Sequence, residues 1–210
     1  GRRRHTRLRR DWSSDVCSSD LERIEKEQKK KAEKKKAKKK ESPPIWYTDV
    51  NKAINTSVQS GKPLFFFFTG SDWCGWCKRL QREVFFKPEF TLWANKNVVL
   101  VELDFPRRTK LPKATQKQNR ELAQIFGVRG YPSIWFASGN IIKNTLIKNQ
   151  QLINDFNSNK EDVQKQEEIK KLIHILYRDT QKSSFGSQGY VAGGPNTWIA
   201  GANKIIKLKK

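Results

Sequence analysis

Residues 64–70 read LFFFFTG, an apolar run in which no polar residue interrupts the sequence until Thr69. A strand with one face in water alternates apolar and polar side chains, because successive residues point to opposite faces. A run without alternation must be covered on both faces, and that is the mark of a central strand in a sheet layered between helices. NVVLVELDF (97–105) is a second such run, and YPSIWFAS (131–138) is a third strand, opened by a proline. Segments with helical spacing separate these strands, so the chain is read as α/β with helices on both sides of the sheet.

The helical segments carry their own signals. Thr48 is placed to cap a helix running to about Ser60, with Val50, Ile54 and Val58 four apart on one face, and SGKP stops it. Leu80 and Val84 form a stripe after the cysteine motif, and KPEF opens a short helix through Trp93. Thr115 to Phe126 reads as a helix with Leu122, Ile125 and Phe126 inward, ended by Gly127. GNIIKNTLI (139–147) is read as continuing the hairpin begun at residue 131. An insertion at about 148–182 follows, ending in an amphipathic helix with Ile169, Leu172, Ile173 and Leu176 on one side. That stripe is taken to pack on the parent domain, with a partner-binding face as the other option. His174, beside it, is read as an ordinary surface residue. The chain closes with a Gly193-Gly194-Pro195 turn and a helix whose Trp198, Ile199, Ala202 and Ile205 face inward.

The 210 residues suffice for one domain with tails. A net charge of +22 suggests a nucleic-acid partner until the charge is located. Residues 1–21 contain RRRHTR and DWSSDVCSSDL, which match translations of the two ends of a common sequencing-library primer. They are expected to be non-native and are set aside. Residues 22–44 form a Lys/Glu-rich linker without apolar periodicity, expected to be disordered. Lys29–Lys40 holds neither arginine nor aromatic residues, so stacking on bases and bidentate phosphate contacts have no support, and no nucleic-acid partner is assigned. A solvated spacer is the reading taken, beside a basic arm for anionic lipid or nucleic acid. The domain proper is placed at 45–210. The sequence contains no methionine, so the chain is expected to lack its native start and any signal peptide that preceded it. No remaining segment is long and apolar enough to span a membrane.

With Cys17 set aside, Cys74 and Cys77 remain, in SDWCGWCK (71–78). Structural zinc takes four ligands, and two cysteines with one remote histidine cannot supply them. Covalent haem attachment wants histidine after the second cysteine, where Lys78 stands. A purely structural disulfide closing so short a loop constrains little of the unfolded chain. A redox couple remains. Cys74 falls where a buried strand turns into a helix, at the end where a thiolate is stabilised, and Cys77 lies one turn on. Lys78, Arg79 and Arg82 add positive potential, and Trp73 and Trp76 make a partly exposed apolar collar.

FFFFTGSDWCGWCKRL and VRGYPSIWF together resemble the strand–WCxxC–helix and cis-proline segments of the thioredoxin family, and the resemblance covers Trp46 to Lys207. SDWCGWCK, VVLVELDFPRR and GYVAGGP are similar to secreted thioredoxin-like proteins of flavobacterial type. The resemblance implies a thioredoxin fold: a central mixed β-sheet flanked by helices, with a helical insertion before the last strand. It also implies a protein thiol–disulfide oxidoreductase that reduces or isomerises disulfides through a mixed disulfide. Cys74 is then the attacking thiolate and Cys77 the resolving one. Trp73, Gly75, Trp76, Tyr131 and a cis Pro132 contact the substrate. No metal or cofactor is implied. The expected partners are disulfide-containing client proteins and an upstream redox protein, the chain is expected to be a monomer, and the location periplasmic or secreted. A thioredoxin scaffold serving as a binding module, its cysteines a redox switch for one partner, is the alternative. One departure stands out. Thioredoxins bury a carboxylate on the strand before the motif, and Phe68 is read as that position.

Overall fold

A computed structural model describes residues 42–207. The segment read as primer-derived, and all but the last residues of the Lys/Glu-rich linker, lie outside the described residues.

Strands β1 (Trp46–Tyr47), β2 (Leu64–Thr69), β3 (Val99–Asp104), β4 (Ser133–Ala137) and β5 (Gly186–Gln188) form one sheet in the order β1-β3-β2-β4-β5. β1 and β2 run parallel to β3, whereas β4 is antiparallel to β2 and to β5, so the sheet is mixed. The helices are α1 (Val50–Ser60), α2 (Gly75–Leu80), α3 (Pro88–Asn97), α4 (Lys113–Ile125), α5 (Gly139–Ser158), α6 (Val163–Ser183) and α7 (Gly194–Lys207). A π-helical turn, Gln81–Phe85, continues α2.

All six residues of β2 are buried, as a strand covered on both faces requires. Phe65 and Phe67 point to one side with Leu100, Ile134 and Phe136, where α2, the π turn, α3 and α7 cover them. Leu64, Phe66 and Phe68 point to the other with Val101, Leu103 and Phe126, under α1, α4 and α5. The first core is dense in aromatic rings. Phe85 lies 4.6 Å from Phe90 and 5.0 Å from Phe67, and Phe65 lies 5.3 Å from Phe136, centroid to centroid. Tilted and edge-on pairs of this kind contribute about 0.5–1.5 kcal/mol each beyond the area they bury.

Several local expectations shift. Asp49 rather than Thr48 caps α1, its Oδ1 accepting the N–H groups of Asn51 and Lys52 at 3.0 and 3.3 Å. Val58 is exposed, because the buried face of α1 continues through Ala53 and Ser57. In α7, Ile206 is buried while Ile199 and Ile205 are half-covered. In α6, Leu172 faces solvent, His174 is exposed, and the inward line runs from Ile169 to Thr180.

The largest correction concerns residues 139–147, which are not a hairpin arm but the start of α5. The buried positions Ile142, Thr145 and Asn149 repeat every three to four residues, as a helix demands. Two of them are polar, so the apolar pattern is broken in the sequence. They are satisfied across the helix pair: Thr145 Oγ1 lies 2.9 Å from Thr180 Oγ1, and Asn149 bonds to Glu121 and to the Tyr177 hydroxyl. The stripe of α6 therefore packs on the parent domain through α5 and α4. Gly139 lets the start of α5 approach α1, since a Cβ there would lie 2.6 Å from Ser57 Oγ.

Candidate redox site

β2 ends at Thr69, and a tight turn carries the chain into α2. The amide of Cys74 donates to Gly70 O at 2.8 Å. Asp104, at the end of the neighbouring β3, accepts from Ser71 N at 2.8 Å and Ser71 Oγ at 2.6 Å. These bonds fix Cys74 as the N-cap of α2, with extended backbone at φ −78°. Cys77 N–H then points at Cys74 Sγ, 3.2 Å away. An N–H at a helix start aimed at sulfur is the local source of thiolate stabilisation.

Cys74 and Cys77 are joined as a disulfide, their Cα atoms 5.3 Å apart. Cys74 is 5% exposed and Cys77 wholly buried, so an incoming sulfur meets Cys74 first. Gly75 between them is exposed.

The two tryptophans occupy opposite shoulders of the pair and do not form one collar. Trp73 is half-buried. Its Nε1 donates to Phe105 O at 2.8 Å, its ring meets Tyr131 edge-on at 5.6 Å, and the Arg107 guanidinium lies 3.9 Å over it. Phe105 closes the group, 5.4 Å from Tyr131. Burial pushes the Tyr131 phenol up. The Tyr131–Pro132 peptide bond is cis. On the other shoulder Trp76 is 56% exposed and lies 5.3 Å from Tyr190. The Arg79 guanidinium sits over both rings, at 5.3 and 5.2 Å. Glu83 ties this shoulder down, accepting from Tyr190 Oη at 2.6 Å and from Arg79 Nε at 2.8 Å. The Tyr190 hydroxyl, then Arg79, hold the Glu83 carboxyl below its usual range. Of the cations expected to flank the pair, Arg79 is thus engaged by a carboxylate, and Lys78 Nζ donates to Asp72 O at 3.1 Å.

On β2 it is Phe67 that lies on the same side of the sheet as the cysteines. Phe67 shares its core cluster with both cysteines, while Phe68 packs on the opposite face with Leu103 and Phe126. Alternation along β2 puts Phe68, read as the position of the family's carboxylate, on the other face. Glu102 is the register partner of Phe67 on β3. Burial, with Asp104 adding to it, raises the Glu102 carboxyl above its ordinary value. Thr69, at the end of β2, is wholly buried with its hydroxyl unpaired.

Asp72, Glu83, Phe105, Arg107 and Tyr190 surround the pair, and sequence reasoning gave none of them a role. The signals were present as VVLVELDFPRR and GYVAGGP, but contacts 30 to 110 residues apart in sequence assemble them. Among the described residues no cluster of three His, Cys, Asp or Glu side chains could hold a metal ion, and no helix is long and apolar enough to cross a membrane.

The fold and site define a thioredoxin-fold protein with a CXXC disulfide at a helix start. Residues 50–154, half the chain, match the family model described as a thioredoxin-like domain, and the chain belongs to that family. It is 38% identical over 85 residues to the disulfide bond reductase DsbH of Chlamydia pneumoniae, a match covering 40% of this chain and 51% of that protein. It is 30% identical over 88 residues to the thioredoxin-related protein DsbJ of the same organism, covering 42% of this chain and 25% of that protein. The match thus spans about half of the length of the first relative and a quarter of the second. A solved structure of a DsbH oxidoreductase superposes with a TM-score of 0.56 at 23% identity, covering 80% of this chain and 87% of that one, which shows a shared fold.

Proposed function

We propose that this protein is a thiol–disulfide oxidoreductase that reduces or isomerises disulfides in client proteins, with Cys74 as nucleophile and Cys77 as resolving thiol. The observation that carries this reading is the bonded pair at the start of α2, with the Cys77 amide directed at Cys74 Sγ and only Cys74 reachable from outside. In the dithiol form the Cys74 thiolate attacks one sulfur of a client disulfide, and the other client sulfur leaves as a thiolate. Cys77, on losing its proton, attacks Cys74 Sγ and displaces the second client sulfur as thiolate. Two electrons pass to the client, and the protein is left with the Cys74–Cys77 disulfide. A redox partner carrying a dithiol returns two electrons.

Trp73, Gly75, Trp76, Tyr131 and Pro132 are assigned to client contact, since they flank the one approachable sulfur. Similarity to a protein named a disulfide bond reductase supports the reducing direction. A periplasmic or secreted setting and a monomeric state belong to this proposal as well. Domain limits of 45–210 for the functional unit, with the linker at 22–44, belong to this proposal. The test is reduction of insulin disulfides driven by dithiothreitol. Parent protein is expected to accelerate the reaction and C74S to lose the effect. A C74S variant as active as the parent would refute the assignment.

A further inference from the structure

Resting on the function just proposed, we infer that the Trp73 shoulder of the site selects clients that carry carboxylates beside their reactive cystine. The loop after β3, Phe105–Leu111, stands next to the redox pair because the Asp72 carboxylate holds it there. Asp72 accepts from Arg107 N at 3.0 Å and from Arg108 N at 2.6 Å. Those two bonds, Arg107 first, draw the Asp72 carboxyl below its ordinary range. Asp72, two residues before Cys74, is therefore committed to backbone N–H groups, and the loop it orders presents cations.

Arg107, Arg108 and Lys110 on this loop, Arg120 on α4 and Arg129 before Tyr131 are all exposed. Among the described residues none of the five lies within ion-pair distance of a carboxylate. The acids beside these cations have other partners: Asp104 accepts from Ser71, and Glu121, next to Arg120, accepts from Asn149. Between the loop and α4 lies a cleft of about 190 Å³ whose charged lining is Arg107, Lys110 and Arg120 against one carboxylate, Asp104. From Phe105 on its wall, contacts run through Tyr131 to Trp73, and Trp73 and Tyr131 pack on the core cluster that contains Cys74. The opposite shoulder differs, since there Glu83 engages Arg79 and Trp76 offers an apolar ring.

A client cystine docked at Cys74 would place its flanking residues on these two shoulders. Like charges facing one another disfavour a basic flank on the Trp73 side, and unpaired cations favour an acidic one. Steering of this kind raises association rates by roughly 10- to 1,000-fold and is screened as salt rises.

The experiment uses reduced full-length protein and three fluorogenic disulfide peptides identical except for flanks of Glu, Gln or Lys. Second-order exchange rates are measured between low and high ionic strength. The Glu peptide is expected to react about 10-fold or more faster than the Lys peptide at low salt, with the ratio approaching one at high salt. In R108Q/K110Q/R129Q, which spares the Arg107–Trp73 stack, the Glu-to-Gln ratio is expected to fall toward one. Equal rates for Glu and Lys peptides at low salt, or an undiminished ratio in the folded triple variant, overturns the inference while leaving oxidoreductase activity intact. Failure to reduce even the Gln peptide overturns the oxidoreductase reading, and this inference with it.

Discussion

Gly70 to Ala is the most diagnostic single change near the site. Gly70 does not have a positive φ, so alanine meets no backbone strain there. A Cβ at that position would lie 2.4 Å from Cε2, 2.5 Å from Nε1 and 2.8 Å from Cζ2 of the Trp73 ring. Carbon atoms pack at about 3.5–4.0 Å, so the ring must leave. Three contacts hold it: the bond from Nε1 to Phe105 O, the Arg107 stack and the edge-on contact with Tyr131. Typical values are about 1 kcal/mol for the hydrogen bond, about 0.5–1 for the cation–π contact and about 0.5–1.5 for the aromatic pair. G70A should therefore cost about 2–3 kcal/mol, measured by urea unfolding. The decisive measurement is a double-mutant cycle with W73A. Without the indole the added methyl has nothing to strike, and G70A in that background should be neutral or stabilise by up to about 1 kcal/mol, as Gly→Ala does at compatible sites. An equal cost of G70A in both backgrounds would show that the glycine is needed for a reason other than the Trp73 ring, and the reasoning would fail.

Glu102 has a folded-state pKa raised by burial. Its neutral form suits the fold, so the stability it permits is full below the unfolded pKa of about 4.3 and declines as pH rises through the folded value. E102Q should raise the melting temperature at pH 7–8 and leave it unchanged near pH 4, as read by calorimetry across pH. Thr69 buries an unpaired hydroxyl, and T69V replaces it with a methyl of similar size, so urea unfolding should show a gain of about 1 kcal/mol. N149A strips partners from Glu121 and the Tyr177 hydroxyl between α4, α5 and α6. It should cost about 2 kcal/mol or more, and hydrogen exchange should show α5 and α6 loosening before the sheet.

What the sequence discloses depends on whether the determining contact is local. LFFFFTG, the second apolar run and Gly127 reveal strands and a helix end, because burial on two faces and a left-handed cap are written in adjacent residues. The cysteine pair is legible for the same reason: strand, turn and helix follow one another without a break. Residues 139–149 are not legible, since Thr145 and Asn149 are made tolerable in the interior only by Thr180, Glu121 and Tyr177, which the local sequence cannot supply. The pairing of Tyr190 with Glu83 across 107 residues is hidden in the same way.

That Phe67 shares the cysteines' core cluster bears on how the pair handles its protons. The sheet surface under Cys74 and Cys77 is formed by Phe65, Phe67 and Phe136, so carbon backs the sulfurs rather than an ionisable group. Charge on Cys77, wholly buried, has no helix-start amide directed at it, whereas Cys74 Sγ receives the N–H of Cys77. Desolvation penalises the Cys77 thiolate, and the amide favours the Cys74 thiolate. The asymmetry on which the proposed division of duties rests therefore lies in the backbone of α2 and in the deeper burial of Cys77. It does not need an acid on β2. An acid introduced at Phe67 would be buried beside the pair, raising its own pKa and opposing ionisation of either sulfur. The aromatic strand that fixes the fold class thus also supplies the apolar floor common to both sulfurs, and the Cys77 amide supplies the difference between them.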